Sequence, residues 1–228
     1  MAFLPTAYRG IKTELDNKGI VLVAVSKTKP AEDIVEAYNA GQRDFGENYV
    51  QELVDKHEAL PKDIRWHFIG HLQSNKVKYI APFIHLIHGV DSENLLKEIN
   101  KQAAKHNRVI DCLLQVHIAR EETKFGFSET ELDALVTRIL ENGLHELKNI
   151  KIIGLMGMAS FSDNVNLVRE EFKNLKKIFD KNAQLSAINY QLSTLSMGMS
   201  SDYKIAIEEG TNMIRVGSLL FGERNYNQ

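Results

Sequence analysis

The stretch "VLVAVSKTKP", residues 21 to 30, decides the fold class. Its five leading residues are all apolar, so a strand that they form is buried on both faces, as in a parallel sheet that helices cover. After Pro30 the pattern changes to that of an amphipathic helix, "AEDIVEAYNAG". A buried strand followed by a helix is the repeating unit of α/β proteins.

The same unit recurs along the whole chain. Eight apolar runs alternate with helical patterns, which matches the strand count of a (β/α)8 TIM barrel, and the length of 228 residues suits that fold, which usually has about 250 residues. We expect short helices in the third and eighth units, and an amphipathic segment over residues 3 to 18 outside or below the barrel. The predicted strands span residues 20–25, 43–46, 66–70, 85–90, 110–118, 150–158, 190–197 and 213–217.

An open doubly wound sheet is the competing fold. Its dinucleotide-binding form requires G-x-G-x-x-G after an early strand, and the sequence contains neither that spacing nor a G-x-x-x-x-G-K-[ST] phosphate loop. Because no stretch rich in Pro, Gly or Ser divides the chain, we predict a single domain over residues 1–228.

Composition excludes several classes of function. The net charge is -2 and the basic residues are scattered, so we expect neither nucleic acid nor a membrane surface as partner. The N-terminal segment is charged by Arg9, unlike a secretory signal, and no run reaches the roughly 18 apolar residues of a membrane helix. The single cysteine, Cys112, lies in the apolar run "IDCLLQV" and is expected to pack in the core. These features predict a soluble, cytoplasmic protein.

Candidate functional residues follow the predicted strands. In a barrel of this kind the active face is formed where the strands reach their carboxyl ends. The residues at those ends are Ser26, Lys27, Glu47, Asn48, His71 to Asn75, Asp91, Arg120, Lys124, Ala159, Ser160, Gly198 to Ser201, Gly217 and Ser218.

Two glycine-serine segments lie in adjacent units. Backbone N–H groups and hydroxyls of residues 198–201 and of Gly217 and Ser218 can converge on a phosphate dianion, with help from the positive end of a helix that Asp202 caps. The loops after strands seven and eight hold phosphate in many barrels. The alternative is that both segments are ordinary turns.

Arg215 lies inside the last predicted strand. A buried guanidinium needs an acceptor, so Arg215 must contact either an internal carboxylate or an acceptor atom of a ligand.

Taken together, six motifs resemble the pyridoxal phosphate homeostasis protein family from residue 21 to the C-terminus. They are "AVSKTKP", "FGENYVQE", "WHFIGHLQSNK", "GLMGM", "LSMGMSSDY" and "IRVGSLLFG". The resemblance implies the barrel of the alanine racemase N-terminal domain and pyridoxal 5'-phosphate (PLP) bound as a Schiff base on Lys27. It also implies that the serines and Gly217 hold the phosphate while Arg215 faces the pyridine nitrogen. The expected PLP-binding residues are Lys27, Asn48, Met199, Ser200, Arg215, Gly217 and Ser218.

Side-chain alternation supports this role for Lys27. Lys27 shares its parity with Val21, Val23 and Val25, so if those valines face the barrel axis, Lys27 points into the barrel mouth and Ser26 points away. Partial desolvation there would lower the pKa of the amine and favour its reaction with an aldehyde. The alternative is a solvated lysine whose stem covers apolar surface. Lys29, next to Pro30, is expected to stay solvated.

Other residues of these motifs keep open roles. Asn48 and Asn75 could bind the cofactor's ring hydroxyl or cap helices, while His67 is expected to be a satisfied core histidine. Met156 and Met158 are expected in the core or in a wall against the ring. No Cys/His set has metal-ligand spacing, so we expect no metal.

The resemblance leaves two functions to compare. Racemases of this type need a second, β-rich domain, and this chain stops at "FGERNYNQ" after the eighth strand. An arginine at the ring nitrogen also weakens the electron sink that carbanion chemistry needs. We therefore expect a monomeric PLP carrier without turnover, acting in vitamin B6 homeostasis with PLP-dependent or PLP-synthesising enzymes as partners. The alternatives are a racemase-like or decarboxylase-like PLP enzyme and a phosphate-binding barrel without PLP.

Overall fold

The computed structural model describes residues 3–120, 125–142, 147–187 and 190–223. Eight parallel strands pair in chain order. The pairing between the sixth and the seventh of them closes the sheet into a barrel. The parallel strands are β1 Val21–Val25, β2 Asp44–Glu47, β3 Arg65–Phe68, β4 Leu86–Val90, β5 Ile110–Gln115, β6 Ile150–Met156, β8 Tyr190–Ser196 and β9 Met213–Val216. The predicted TIM barrel is confirmed.

A ninth strand was not predicted. β7, Ser186–Ala187, pairs antiparallel with β8 at residues 190 and 191 and lies outside the closed barrel. Two residues carry no readable alternation, so sequence periodicity could not identify it.

Helices follow the parallel strands. Those of the third and eighth units are short, as expected. The third unit has a 3-10 turn, Ser74–Lys76, and then only four helical residues, while the eighth unit ends in another four. The α-helices are α1 Pro5–Asp16, α2 Ala31–Asn39, α3 Val50–Ala59, α4 Val77–Ile80, α5 Glu93–Lys105, α6 Glu129–Asn142, α7 Val165–Ala183, α8 Tyr203–Glu208 and α9 Ser218–Phe221. Among the described residues, no helix is both long and apolar enough to cross a membrane.

Side-chain caps start three of the long helices. Ser92 accepts a hydrogen bond from the Leu95 N–H, and Asn164 accepts from the N–H groups of residues 166 and 167. Ser128 and Glu131 form a reciprocal capping box at the start of α6. Each such cap stabilises its helix by about 1 kcal/mol.

The core has two layers, separated by the alternation of the strands. Leu22 and Ala24 belong to the large apolar cluster between strands and helices, whereas Val23 belongs to a smaller cluster inside the barrel. Inside, Val23 is buried with Leu86, Leu113, Met156 and Met213. In β1, the side chains that share the parity of Lys27 therefore point into the barrel, as predicted, and the alternation continues towards Lys27.

The N-terminal helix packs on the outside, where the last unit meets the first. The N–H of Leu4 donates to the carbonyl oxygen of Leu220 over 2.8 Å, and the Phe3 ring lies 5.8 Å from that of Phe221. This contact fixes α9, whose first residue belongs to the predicted phosphate loop.

Candidate functional site

A cavity of about 450 Å³ opens at the carboxyl ends of the strands. All seven residues that the sequence singles out for ligand binding line this cavity, although their binding roles stay predictions. Apolar residues form much of the remaining wall. The lining consists of Val25, Lys27, Lys29, Asn48, Ile69, Met158, Phe161, Met199, Ser200, Ser201, Arg215, Gly217, Ser218, Leu219 and Gly222.

Lys27 lies just beyond the end of β1, with its side chain partly buried in the cavity lining. Val23, of the same parity, is fully buried inside the barrel, and Val25 lines the cavity between the two. The neighbour of opposite parity, Ser26, is buried towards the helices, where its hydroxyl donates to Glu47 Oε1 over 2.6 Å. Alternation thus sends Lys27 to the mouth and Ser26 away, as predicted.

The turn that carries Lys27 is held by a buried ionic cluster, which the sequence analysis did not foresee. We call this cluster, Glu47, Glu52 and Lys56, the turn clamp. Lys56 Nζ donates to the Ser26 carbonyl over 2.8 Å, and also to Glu47 and Glu52. The Thr28 N–H donates to Glu52 Oε1 over 2.6 Å, and Thr28 itself has a φ of 64°. The clamp therefore fixes the backbone on both sides of Lys27.

Glu47 is the member of the turn clamp whose ionisation is most perturbed. Its side chain is fully buried, and burial raises its pKa to about 7, although Lys56 and Ser26 act in the opposite direction. Its Oε2 has no hydrogen-bond partner among the described residues. The sequence offered one signal for this residue, the position of Glu47 inside "FGENYVQE". Its partner, Lys56, lies nine residues later, and that separation matches no recognisable motif.

Lys29 differs from its prediction. It was expected to be solvated, but its Nζ donates to the Phe221 carbonyl over 2.7 Å and lies 3.4 Å from the carbonyl oxygen of Gly222. The last carbonyls of a helix attract a cation, and α9 ends at this point. Lys29 therefore holds the end of α9 against the first unit of the barrel.

The two glycine-serine segments meet at one side of the cavity. The Gly217 N–H donates to Ser200 Oγ over 3.2 Å, which joins the loops after β8 and β9. Gly198 has a φ of +95°, where a side chain would be strained, and a Cβ on Gly217 would approach the Val25 carbonyl oxygen to 3.2 Å. Gly217 lets its loop backbone come close to β1, while a Cβ on Gly198 would meet Ala206 and Tyr203 of α8. The arrangement presents hydroxyls and N–H groups, the donors that an anion requires.

The helix after the first of these segments contributes less than expected. Asp202 occupies the N-cap position of α8 but makes no cap hydrogen bond; its Oδ1 instead accepts from the Met199 N–H over 2.6 Å. The helix has only six residues, so its dipole is small. Asp202 closes the loop 199–202 rather than capping the helix.

Arg215 is buried at the base of the cavity, with 3% of its surface exposed. Its hydrogen bonds within the protein go to a hydroxyl and a carbonyl instead of the expected carboxylate: Nη1 donates to Ser196 Oγ over 2.6 Å and Nη2 to the Gly157 carbonyl over 3.1 Å. The alternative of a ligand acceptor stays a prediction. Burial lowers the pKa of the guanidinium to about 10, with Asp202 acting in the opposite direction. Arg215 remains a cation at neutral pH and can only donate hydrogen bonds.

Some of the remaining motif residues line the cavity, and the others lie away from it. Asn48 lines the cavity and caps no helix, and its Oδ1 is buried without a partner among the described residues. Asn75 is exposed in the 3-10 turn and does not line the cavity. Met156 lies inside the barrel while Met158 lines the cavity. His67 is a satisfied core histidine, bonded through both ring nitrogens.

Several other strand-end residues have structural partners. The His71 ring stacks on Phe125 at 4.0 Å and bonds Asp91 over 3.0 Å, while Ser160 is held by Glu171. Lys124 lies outside the described residues. Cys112 is buried as predicted, and burial raises its thiol pKa.

One cluster of metal-ligand side chains was not visible in the sequence spacing. Asp44, His67 and His85 bring their ligand atoms within 4.8 Å of one another at the opposite end of the barrel. Both oxygens of Asp44, however, accept hydrogen bonds from Arg65, over 2.7 and 2.5 Å. The expectation of no metal stays a prediction.

Chemically, the cavity combines an amine, a corner of hydroxyl and backbone N–H groups, and a buried cation. Lys27 can react with an electrophilic carbon, the serine loops can hold an anion, and Arg215 can donate to a ring acceptor. Met158, Ile69 and Val25 supply apolar walls.

Comparison with known proteins places this site in a family. Residues 7–225 match the family model of the alanine racemase N-terminal domain. A pyridoxal phosphate homeostasis protein from Aquifex aeolicus (strain VF5) is 46% identical over 206 residues, which are 90% of this chain and 87% of that protein. The structure of PipY from Synechococcus elongatus PCC7942 with PLP bound has a TM-score of 0.84 at 34% identity, over 96% of this chain and 99% of that one. An alanine racemase from Clostridium difficile 630 shares the fold alone, with a TM-score of 0.69 at 14% identity over 96% of this chain and 57% of the racemase.

Proposed function

Because the chain belongs to the pyridoxal phosphate homeostasis proteins, within the alanine racemase N-terminal domain family, we propose that it binds PLP in the cavity described above. In this proposal Lys27 holds the cofactor as a Schiff base, and the protein serves vitamin B6 homeostasis with effects on amino-acid pools. The observation that carries the proposal is that a lysine, two glycine-serine loops and a buried arginine line one cavity.

The cavity fits PLP by the chemistry of its unsatisfied groups. Asn48 lines the cavity, and its buried Oδ1, which lacks a partner among the described residues, is an acceptor that suits the ring hydroxyl of PLP. Arg215 has five N–H donors, of which the two contacts to Ser196 and Gly157 use only part. Gly217 lines the cavity without a side chain, and a Cβ there would come within 3.2 Å of the Val25 carbonyl oxygen.

Each residue then has a separate task. Ser200, Gly217 and Ser218 bind the phosphate through hydroxyl and backbone groups, and Met199 belongs to the same loop. Arg215 donates to the pyridine nitrogen. Met158 and Ile69 exclude water from the ring faces.

PLP supplies an aldehyde, which condenses with a neutral lysine amine to a C=N bond and one released water. The turn clamp supports this role of Lys27, because it fixes the backbone on both sides of that residue, at Ser26 and Thr28. Binding in this form keeps a reactive aldehyde away from other amines.

We propose no turnover for the protein, because of Arg215. A buried guanidinium that donates to the ring nitrogen leaves that nitrogen unprotonated, and an unprotonated ring is a poor electron sink. The second candidate, a racemase-like or decarboxylase-like enzyme, is favoured by the family's racemase fold. The proposed setting is the cytoplasm, where a monomer exchanges PLP with enzymes that make or use it.

The experiment reduces the PLP-loaded protein with borohydride and maps the labelled peptide by mass spectrometry. We expect the phosphopyridoxyl group on Lys27, and its loss in Lys27→Ala, which circular dichroism should show to be folded. The matched control is Lys29→Ala, which removes a lysine of the same cavity and should keep the label on Lys27. A label on Lys29 or Lys76 of the unmutated protein would overturn the assignment, and a colourless protein that ignores added PLP would support the phosphate-binding barrel instead.

A further inference from the structure

A chain of hydrogen bonds runs through the barrel interior from Arg215 to the opposite end. Arg215 Nη1 donates to Ser196 Oγ, which lies 3.2 Å from His88 Nδ1. His88 Nε2 lies 2.9 Å from His67 Nδ1, and His67 Nε2 lies 3.0 Å from Asp44 Oδ1. We call these four residues, Ser196, His88, His67 and Asp44, the axial relay. Ser196 and His88 are fully buried and His67 is 1% exposed.

Both ends of the axial relay have a fixed hydrogen-bond polarity. Arg215 can only donate. Burial opposes the charge of Asp44, but hydrogen bonds from Arg65 and His67 outweigh it and hold the pKa of Asp44 well below its usual range. Asp44 is therefore ionised and can only accept.

Burial disfavours a charge on His88, in the middle of the relay. Burial lowers the pKa of His88 well below its ordinary value, and His67 and Arg215 nearby act in the same direction. At the far end of the relay, Arg65 donates to both oxygens of Asp44. A neutral imidazole has one N–H donor and one acceptor nitrogen.

One arrangement of protons satisfies every link with a neutral His88. In this arrangement His67 donates through Nε2–H to Asp44, and its Nδ1 accepts from His88 Nε2–H. The free Nδ1 of His88 then accepts the hydroxyl proton of Ser196, and the Ser196 oxygen presents its lone pairs to Arg215. Every link then points from Arg215 to Asp44.

We propose that the axial relay positions Arg215, an inference that rests on the proposed function insofar as Arg215 contacts PLP. By fixing the direction of the Ser196 hydroxyl, the relay binds Nη1, while the Gly157 carbonyl binds Nη2. The guanidinium is thereby held in one orientation, and its remaining donors are available to the ligand. Asp44, at the far end of the barrel, is a positioning residue for the cofactor site.

The first test needs no cofactor. In the PLP-free protein labelled with ¹⁵N, long-range ¹H–¹⁵N NMR should find His67 and His88 as neutral Nε2–H tautomers at neutral pH. In Asp44→Asn, an amide that can also donate replaces a carboxylate that can only accept. At least one of the two histidines should then populate both neutral tautomers, and the guanidinium NMR signals of Arg215 should shift. A doubly protonated His67, or an Nδ1–H tautomer in the unmutated protein, would overturn the proposed direction.

The second test reads the cofactor. Asp44→Asn and Ser196→Ala should each shift the absorbance maximum of bound PLP and weaken PLP binding by about 3- to 10-fold, the effect of one neutral hydrogen bond. Borohydride should still label Lys27. His85→Gln is the matched control, because the His85 ring lies 5.3 Å from that of His67 but is not part of the relay.

The outcomes separate the two proposals. If neither relay variant shifts the spectrum or the Arg215 signals, or if His85→Gln shifts them equally, the positioning role is wrong. Ser196→Ala decides the question if Asp44→Asn fails to fold. If the unmutated protein takes up no PLP on Lys27, the proposed function fails, and the Arg215 signals of the PLP-free variants still decide on the relay.

Discussion

Replacing Glu47 by glutamine is expected to remove a pH-dependent loss of stability. Glu47 is fully buried at the end of β2, where Oε1 accepts from Ser26 and Lys56 while Oε2 lacks a partner among the described residues. Because burial raises its pKa from 4.5 to about 7, the folded protein keeps this proton at pH values where the unfolded chain has lost it. Glutamine has the same shape and cannot ionise.

The magnitude follows from the two pKa values. They differ by about 2.5, and each pKa unit corresponds to about 1.4 kcal/mol, which gives about 3 kcal/mol. A raised pKa contributes stability that is complete below the unfolded value and is lost as the pH rises through the folded value. The free energy of unfolding of Glu47→Gln, minus that of the unmutated protein, should therefore increase by about 3 kcal/mol between about pH 4.5 and pH 8.

Urea unfolding, followed by the fluorescence of the single tryptophan, Trp66, measures this difference, since Trp66 is only 1% exposed when folded. Glu58→Gln, an exposed glutamate on α3, is the control and should show no comparable increase with pH. A difference that stays constant with pH would refute the reasoning. A difference that falls as the pH rises would mean that Lys56 keeps Glu47 ionised.

Three further predictions concern the cavity. Ser200→Ala should weaken PLP binding by about 1 to 3 kcal/mol, the value of a hydrogen bond to a charged group, and pyridoxal without phosphate should bind far more weakly in equilibrium dialysis; equal affinities would exclude a phosphate site here. Arg215→Glu should change the absorbance spectrum of bound PLP, because a carboxylate lets the ring nitrogen hold a proton, and an unchanged spectrum would place Arg215 away from the ring. Chiral chromatography should find no racemisation of alanine, serine or glutamate above the rate of free PLP, and steady multiple turnover would favour the enzyme.

The barrel could be predicted because its signal is local. Each strand is a run of apolar residues with a helical pattern after it, and the observed strands begin and end within three residues of the predicted ones. The cavity residues followed from position at the strand ends, from side-chain parity and from motif resemblance. Lys27 illustrates this, since counting from Val23 places it at the barrel mouth.

The polar clusters could not be predicted, because their contacts depend on register between strands. His67 meets His88 across 21 residues of chain, and Ser196 meets His88 across 108. Neither spacing is a recognisable motif. The turn clamp joins β2 to a helix residue, Lys56, whose burial depends on how α3 packs on the sheet. A charged residue in a helical pattern normally reads as solvent-exposed, so its burial had no sequence signal.

Lys27 and Lys29 show why parity alone does not assign a role. Both follow β1 and both line the cavity, but the φ of 64° at Thr28 ends the strand geometry between them. Beyond Thr28, Lys29 therefore does not continue the inward series of side chains. Its Nζ donates to the carbonyl groups that end α9. Because these contacts already engage the amine of Lys29, they support the proposal that Lys27, and not Lys29, carries the aldehyde.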